Sequence, residues 1–379
     1  MKTTRRQSFQ LLGLALALGG LGLPAAATTT ADDDDGDGFR SGKVFTSSNA
    51  SSGNELLVYD AAADGQLTLQ ARLATQGAGS GGGLGNQGAV TLSRNGRFLF
   101  VVNALSNSVS TFRLRRGGVT LESSADSGGI QPISVTEHDG IVYVLNAGGA
   151  GNVAGFRNQR GQLTPLAGSV QPLSAASGTG SAQVGFSPDG EVLLVTEKGT
   201  NKLSSYRVRD SGAIDAPLVT ASAGVTPFGF AFDRRGTAIV SEAFGGAAGA
   251  SAVSSYGFEN WAPAKPMLVS ASVPDTQSAA CWVVVTPNGR FAYVTNTGSG
   301  TVSSYAVARS GKLALLQAVA ATSGAAPIDA AVSASGGQLF VLNARGLSIS
   351  SFRIGRDGSL ANPLSAAGLP AGANGLAAN

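Results

Sequence analysis

The chain has 379 residues, 54 of them Gly, and only 13% of its residues are charged. Its formal charge of +3 comes from the N-terminus: residues 1–27 hold Lys2, Arg5 and Arg6 and no acid, and without them 23 basic side chains face 23 acidic ones. That balance gives no general attraction to nucleic acid or an anionic membrane, and the single Cys281 excludes an internal disulfide, so the fold must rest on its own core.

In chain order, the basic start is followed by an apolar run over residues 11–23 and by Ala25-Ala26-Ala27. This predicts an export signal over residues 1–27, too short to be a membrane span and cleaved near Thr28. Arg5-Arg6 before Phe9 fits twin-arginine export, whereas Ser8 stands where an apolar residue is usual, so the Sec route stays open beside it. Residues 28–41 read as an acidic flexible linker. Asp33, Asp35, Asp37 and Gly38 match the first half of a calcium loop, but Val44 takes the twelfth position, where a bidentate Glu is required. The solvated linker is therefore favoured, and neither metal nor cofactor is expected.

From Ala89 onward one pattern recurs. Its clearest copy is an alternating strand ending at Val284-Val285, a turn at Asn288-Gly289, an apolar strand Tyr293-Val294-Thr295-Asn296, a polar turn, and a third strand ending at Tyr305. Copies run from Ser93 to Phe112, from Ser187 to Tyr206 and from Ser335 to Phe352, with looser ones around His138 and Arg234. A repeat of roughly 40–50 residues with about four short strands predicts an all-β propeller. The second strand of each copy ends at a landmark: Asn49, Asn103, Asn146, Glu197, Glu242, Asn296 and Asn343. Seven landmarks give seven blades over residues 42–379. The first copy lacks its innermost strand, and residues 375–378 are expected to supply it by pairing with residues 44–46, closing the ring and removing unpaired edges.

The Tyr293-Val294-Thr295-Asn296 signature and Phe186-Ser187-Pro188-Asp189-Gly190 resemble the YVTN-repeat and propeller lactonase family, which includes 6-phosphogluconolactonase-like and carboxymuconate cyclase-like proteins. The resemblance covers about residues 42–379 and implies a small-molecule hydrolase. Members carry His-x-His-Gln before the Ser-Pro-Asp-Gly turn; here the stretch is Gly180-Ser181-Ala182-Gln183. An Arg-His of the next blade is replaced by Phe228-Gly229, while the family's Glu is matched by Glu242.

Landmarks share one face of the ring with the segments entering each first strand, so the central funnel on that face is the expected ligand site. The catalytic candidates are Glu197, Glu242 and Lys198. Two carboxylates on adjacent blades suit acid–base work if one raises the pKa of the other, with Lys198 and Gln183 polarising a carbonyl. Phe228 and Trp282 are candidate ring-stacking surface, or core. Asn146, Asn296 and Asn343 are candidate ligand contacts only if they point into the funnel; closing a turn is their structural alternative. Cys281 has no His on its face and is expected to be buried and inert. Two functions stand side by side: a secreted or periplasmic monomer that hydrolyses a lactone, and a non-catalytic propeller that binds a small ligand or an envelope protein.

Overall fold

In the repeat, second strands such as Phe98–Asn103, Val192–Glu197 and Phe291–Asn296 are buried along their whole length. A continuous apolar run is what a strand needs when both of its faces pack against other sheets. The computed structural model describes residues 42–259 and 262–379; the predicted signal, the linker and the partial calcium motif lie outside the described residues. It shows seven antiparallel sheets, the seven blades of an all-β propeller. The inner strands are Asn374–Ala378 (blade 1), Val90–Leu92, Pro132–His138, Ser181–Phe186, Pro227–Phe232, Ala280–Val285 and Pro327–Val332 (blade 7). Blade 3 carries an extra short strand, Gln171–Pro172. The insertion in blade 5 forms a 3-10 turn, Phe244–Gly246. Among the described residues no helix is long and apolar enough to cross a membrane.

The ring closes as the sequence predicts. Asn374–Ala378 pairs with Gly42–Ser47, with Phe45 opposite Ala377 and Thr46 opposite Leu376. Blade 1 thus joins the two ends of the propeller. The core sits between blades, where Tyr206, Tyr293, Tyr305, Phe112 and Phe340 are essentially inaccessible. Each such side chain stabilises the fold by ~1.5–3 kcal/mol relative to exposure. Turns on one face repeat a single solution. Asn288 Oδ1 accepts from Arg290 N (2.9 Å), and Gly289 takes φ +68°, a conformation glycine adopts without a Cβ penalty.

The landmark residues share one local task. Six of them bond the third strand of their own blade: Asn103 to Ser110 (2.8 Å), Asn146 to Asn152 (2.8 Å), Glu197 to Ser204 (2.6 Å), Glu242 to Ser254 (2.5 Å), Asn296 to Ser303 (2.8 Å) and Asn343 to Ser350 (2.9 Å). This differs from a side chain closing onto its own backbone, since it ties the second strand of a blade to the third. Four third strands carry a serine pair, Ser204-Ser205, Ser254-Ser255, Ser303-Ser304 and Ser350-Ser351. The first Ser meets the landmark; the second reaches the next blade at Ser205, Ser255 and Ser351, as Ser255 does at the Gly311 carbonyl (2.8 Å), whereas the Ser304 hydroxyl has no hydrogen-bond partner among the described residues.

Candidate functional site

Two ends of the central channel differ in chemistry, and one segment separates them. The glycine-rich stretch before blade 2 is exposed over residues 80–83 and then turns inward, burying Asn86 and Gln87. Asn49 holds its start, accepting from Ser80 N (2.9 Å) and donating to the Gly82 carbonyl (2.7 Å). Further on, Gln87 N donates to the Ala182 carbonyl of blade 4 (3.1 Å). The Gln87 side chain then crosses to blade 6, where it donates to the Val283 carbonyl (2.8 Å) and accepts from Val283 N (3.1 Å). Trp282 Nε1 donates to the Asn86 carbonyl (2.5 Å). Segment 85–88 therefore plugs the channel.

At the landmark end of this plug lies Lys198. Its Nζ donates to the carbonyls of Gly85 and Ser181, the latter at 3.3 Å, and sits 4.4 Å from the centre of the Phe228 ring. Among the described residues no carboxylate lies within ion-pair distance of it. Burial lowers its pKa to about 8, because a low-dielectric site disfavours the charged form. Phe228 and Trp282 meet at 4.9 Å between ring centres, their planes inclined by 51°, and pack with Ala182, Ala243 and Cys281. Burial pushes the Cys281 thiol up to about 11, which fits an inert side chain.

The structure thus brings Lys198, Phe228 and Trp282 together but does not bring Glu197 and Glu242 to them or to each other. Glu197 is fully buried and accepts from Ser174 N (3.0 Å), Ser174 Oγ, Thr200 Oγ1 (2.8 Å) and Ser204 Oγ. Glu242, equally buried, accepts from Gly224 N (2.8 Å), Ser254 Oγ and Ser272 Oγ (2.6 Å). Each carboxylate is satisfied by donors close to its own strand end; the amide nitrogens of Asn146, Asn296 and Asn343 are bonded in the same way, while their side-chain oxygens have no hydrogen-bond partner among the described residues. Asn146, Asn296 and Asn343 likewise point into their blades. Gln183 lies beyond the plug, where its amide accepts from Phe230 N (2.6 Å) and donates to the Phe230 carbonyl (2.9 Å), linking blades 4 and 5. Sequence reasoning missed Gly85 and Asn86, whose only signal is the density of glycine in residues 77–88. It also missed Asp329, an inner-strand carboxylate of blade 7 that is 2% exposed. Among the described residues no cluster of three His, Cys, Asp or Glu is placed to hold a metal.

The model of the family described as lactonase, 7-bladed beta-propeller, matches residues 50–174, 150–243 and 257–372. The chain belongs to this family. A search of curated proteins finds no match. Among solved structures, this lactonase-family propeller is similar to the periplasmic gluconolactonase of Pseudomonas aeruginosa, with 20% identity, a TM-score of 0.70, and 88% of this chain and 98% of that one covered. It is also similar to a protein from Lactobacillus plantarum, with 17% identity, a TM-score of 0.72, and 89% and 99% covered. At these identities the likeness speaks for the fold. In this lactonase-family chain, Gly180 and Ala182 stand where the resemblance puts histidines. Both border the Lys198 cluster: the Gly180 carbonyl accepts from Lys198 N (3.2 Å), and Ala182 packs beside Phe228.

Proposed function

We propose that this propeller opens a lactone at the Lys198 end of its channel and that it does so outside the cytoplasm. The observation that carries the reading is Lys198 itself. It is an amine with a pKa near 8 and no carboxylate partner among the described residues, set against aromatic surface beside the two positions where the family resemblance puts histidines. Carbonyls of Gly85 and Ser181 take two of its protons, so the remaining position is the one that gains and loses a proton. In its amine form it removes a proton from a water attacking the lactone carbonyl. The resulting ammonium returns that proton to the ring oxygen as the C–O bond breaks, leaving a hydroxy acid. Phe228 and Trp282 supply the apolar floor, and Gln183 keeps blade 5 in register behind them. Glu197, Glu242, Asn146, Asn296 and Asn343 act as frame. Export rests on the basic and apolar start of the chain, and the periplasmic gluconolactonase among the fold neighbours is compatible with it.

Hydrolysis of δ-gluconolactone followed by pH-stat tests the proposal. Turnover should rise as pH passes through about 8, because the amine is the working base. Lys198→Met should lower kcat/KM by about 100-fold or more with an unchanged melting curve. A second reading, a non-catalytic small-molecule binder of the cell envelope, draws on the full commitment of both Glu side chains to their blades. It is favoured if the wild type shows saturable, Lys198-dependent binding of lactone without turnover.

A further inference from the structure

Beyond the plug the channel widens into a cavity of about 470 Å³, within the range of small-molecule sites. Its walls come from the inner strands of six blades, and no Asp, Glu, Lys, Arg or His lines it. Burying an ion there would cost far more than burying a neutral molecule. Because each inner strand pairs on one side only, its other edge offers main-chain N–H and C=O groups to the channel. Two side-chain amides already show how that edge is used. Gln183 brackets both main-chain groups of Phe230, and Gln87 brackets both of Val283.

Alternate residues of a strand present their main-chain groups to the same edge. Phe232 follows Phe230 by two, and Val285 follows Val283 by two; both line the cavity and both are partly exposed. They lie opposite Ala238 and Ala292 of their own second strands, within an unbroken ladder. Among the described residues no side chain hydrogen-bonds the main chain of either one, whereas the Phe186 amide in blade 4 is taken by Thr136 (3.4 Å). A neutral pair of donor and acceptor therefore faces the cavity at two adjacent blades.

We propose that this cavity binds a small uncharged amide, a carboxamide or lactam whose N–H and C=O bracket Phe232 or Val285 as Gln183 and Gln87 bracket Phe230 and Val283. The site lies across the plug from Lys198 and is independent of the lactone reading. Recognition is by main chain, the way an added strand is held at a sheet edge.

The test uses N-acetyl-alaninamide and its carboxylate counterpart, N-acetylalanine, with the full-length protein. Amide-resolved hydrogen exchange should slow at Phe232 or Val285 by about 5-fold or more at saturating amide, and the carboxylate should leave both unchanged. Where protection falls at Val285, Val285→Pro, which removes that donor at an edge that tolerates proline, should weaken calorimetric binding; where it falls at Phe232, Phe232→Pro should do so. Equal binding of the carboxylate, protection confined to other amides, or no saturable binding by about 10 mM would overturn the proposal. If the proline variant fails to fold, the exchange measurement on the wild type decides.

Discussion

Glu197 and Glu242 show how one position in a repeat takes different chemistry for the same task. Where four blades reach the third strand with an Asn amide, these two use a carboxylate, and a third-strand serine turns its hydroxyl to suit: it accepts from Asn296 and donates to Glu242. A carboxylate with three or four donors costs little to bury, whereas Asp329 lacks such support. It is buried in the inner strand of blade 7 and accepts from its neighbour Ala330 N (2.8 Å), with the Leu376 amide of blade 1 nearby. Burial drives its carboxyl well above the ordinary range, against the smaller opposing effect of those amides. A folded-state pKa above the unfolded one means that its contribution is fully present below the unfolded value, about 4. That contribution is lost as pH rises through the folded value. Asp329→Asn keeps the shape of the side chain and its acceptor oxygen and cannot ionise. Its urea midpoint should exceed that of the wild type at pH 8, and the gap should close as pH falls toward 4. A gap of the same size at both pH values would show that Asp329 is ionised throughout.

At the scale of elements, the plug is a linker used as an internal part. Loops normally stay on the surface because buried main chain must find partners. Segment 85–88 finds them in blades 3, 4 and 6: Gly88 O accepts from Val135 N (2.9 Å), Gln87 N reaches Ala182, and the Gln87 amide reaches Val283. Its passage is narrow. A Cβ on Gly229 would meet Gln87 Oε1 and would stand 2.6 Å from the Cys281 carbonyl oxygen. Gly229→Ala should therefore lower stability by ~1–3 kcal/mol, measured as a shift of the urea midpoint at unchanged slope. A shift below about 0.5 kcal/mol would mean that the plug yields freely.

For the whole molecule, closure is the decisive contact. Seven sheets in a ring leave no inner blade boundary open only while Asn374–Ala378 completes blade 1. The Asn379 side chain, which accepts from Lys43 N (2.7 Å), and the Ser47 hydroxyl, which donates to the Asn374 carbonyl (2.8 Å), fix that strand at its two ends. Removing residues 372–379 would bare the Gly42–Ser47 edge and the face of blade 7. The truncated protein should melt lower by more than about 5 °C and associate through the open edges. A monomeric product with an unchanged melting curve would refute that role for the strand.

Fold class, blade number and closure were legible in the sequence because each is set by local pattern. Strand alternation, Asn-Gly and Asp-Gly turns and a landmark every blade recur often enough to count, and a first copy lacking one strand points to the tail. Lys198, Phe228 and Trp282 were also within reach, since all three lie at strand ends on one face. The direction of a side chain at a strand end was not. Whether Glu242 turns into the channel or into its blade depends on Gly224, Ser254 and Ser272, which are distant in sequence and meet it only once the sheet is built. The same holds for the plug. A glycine-rich linker has no periodicity to read, and its path is chosen by the unpaired edges of strands contributed by other blades. The pattern in the chain determined the ring; contacts made across the ring decided where the side chains at its two ends point.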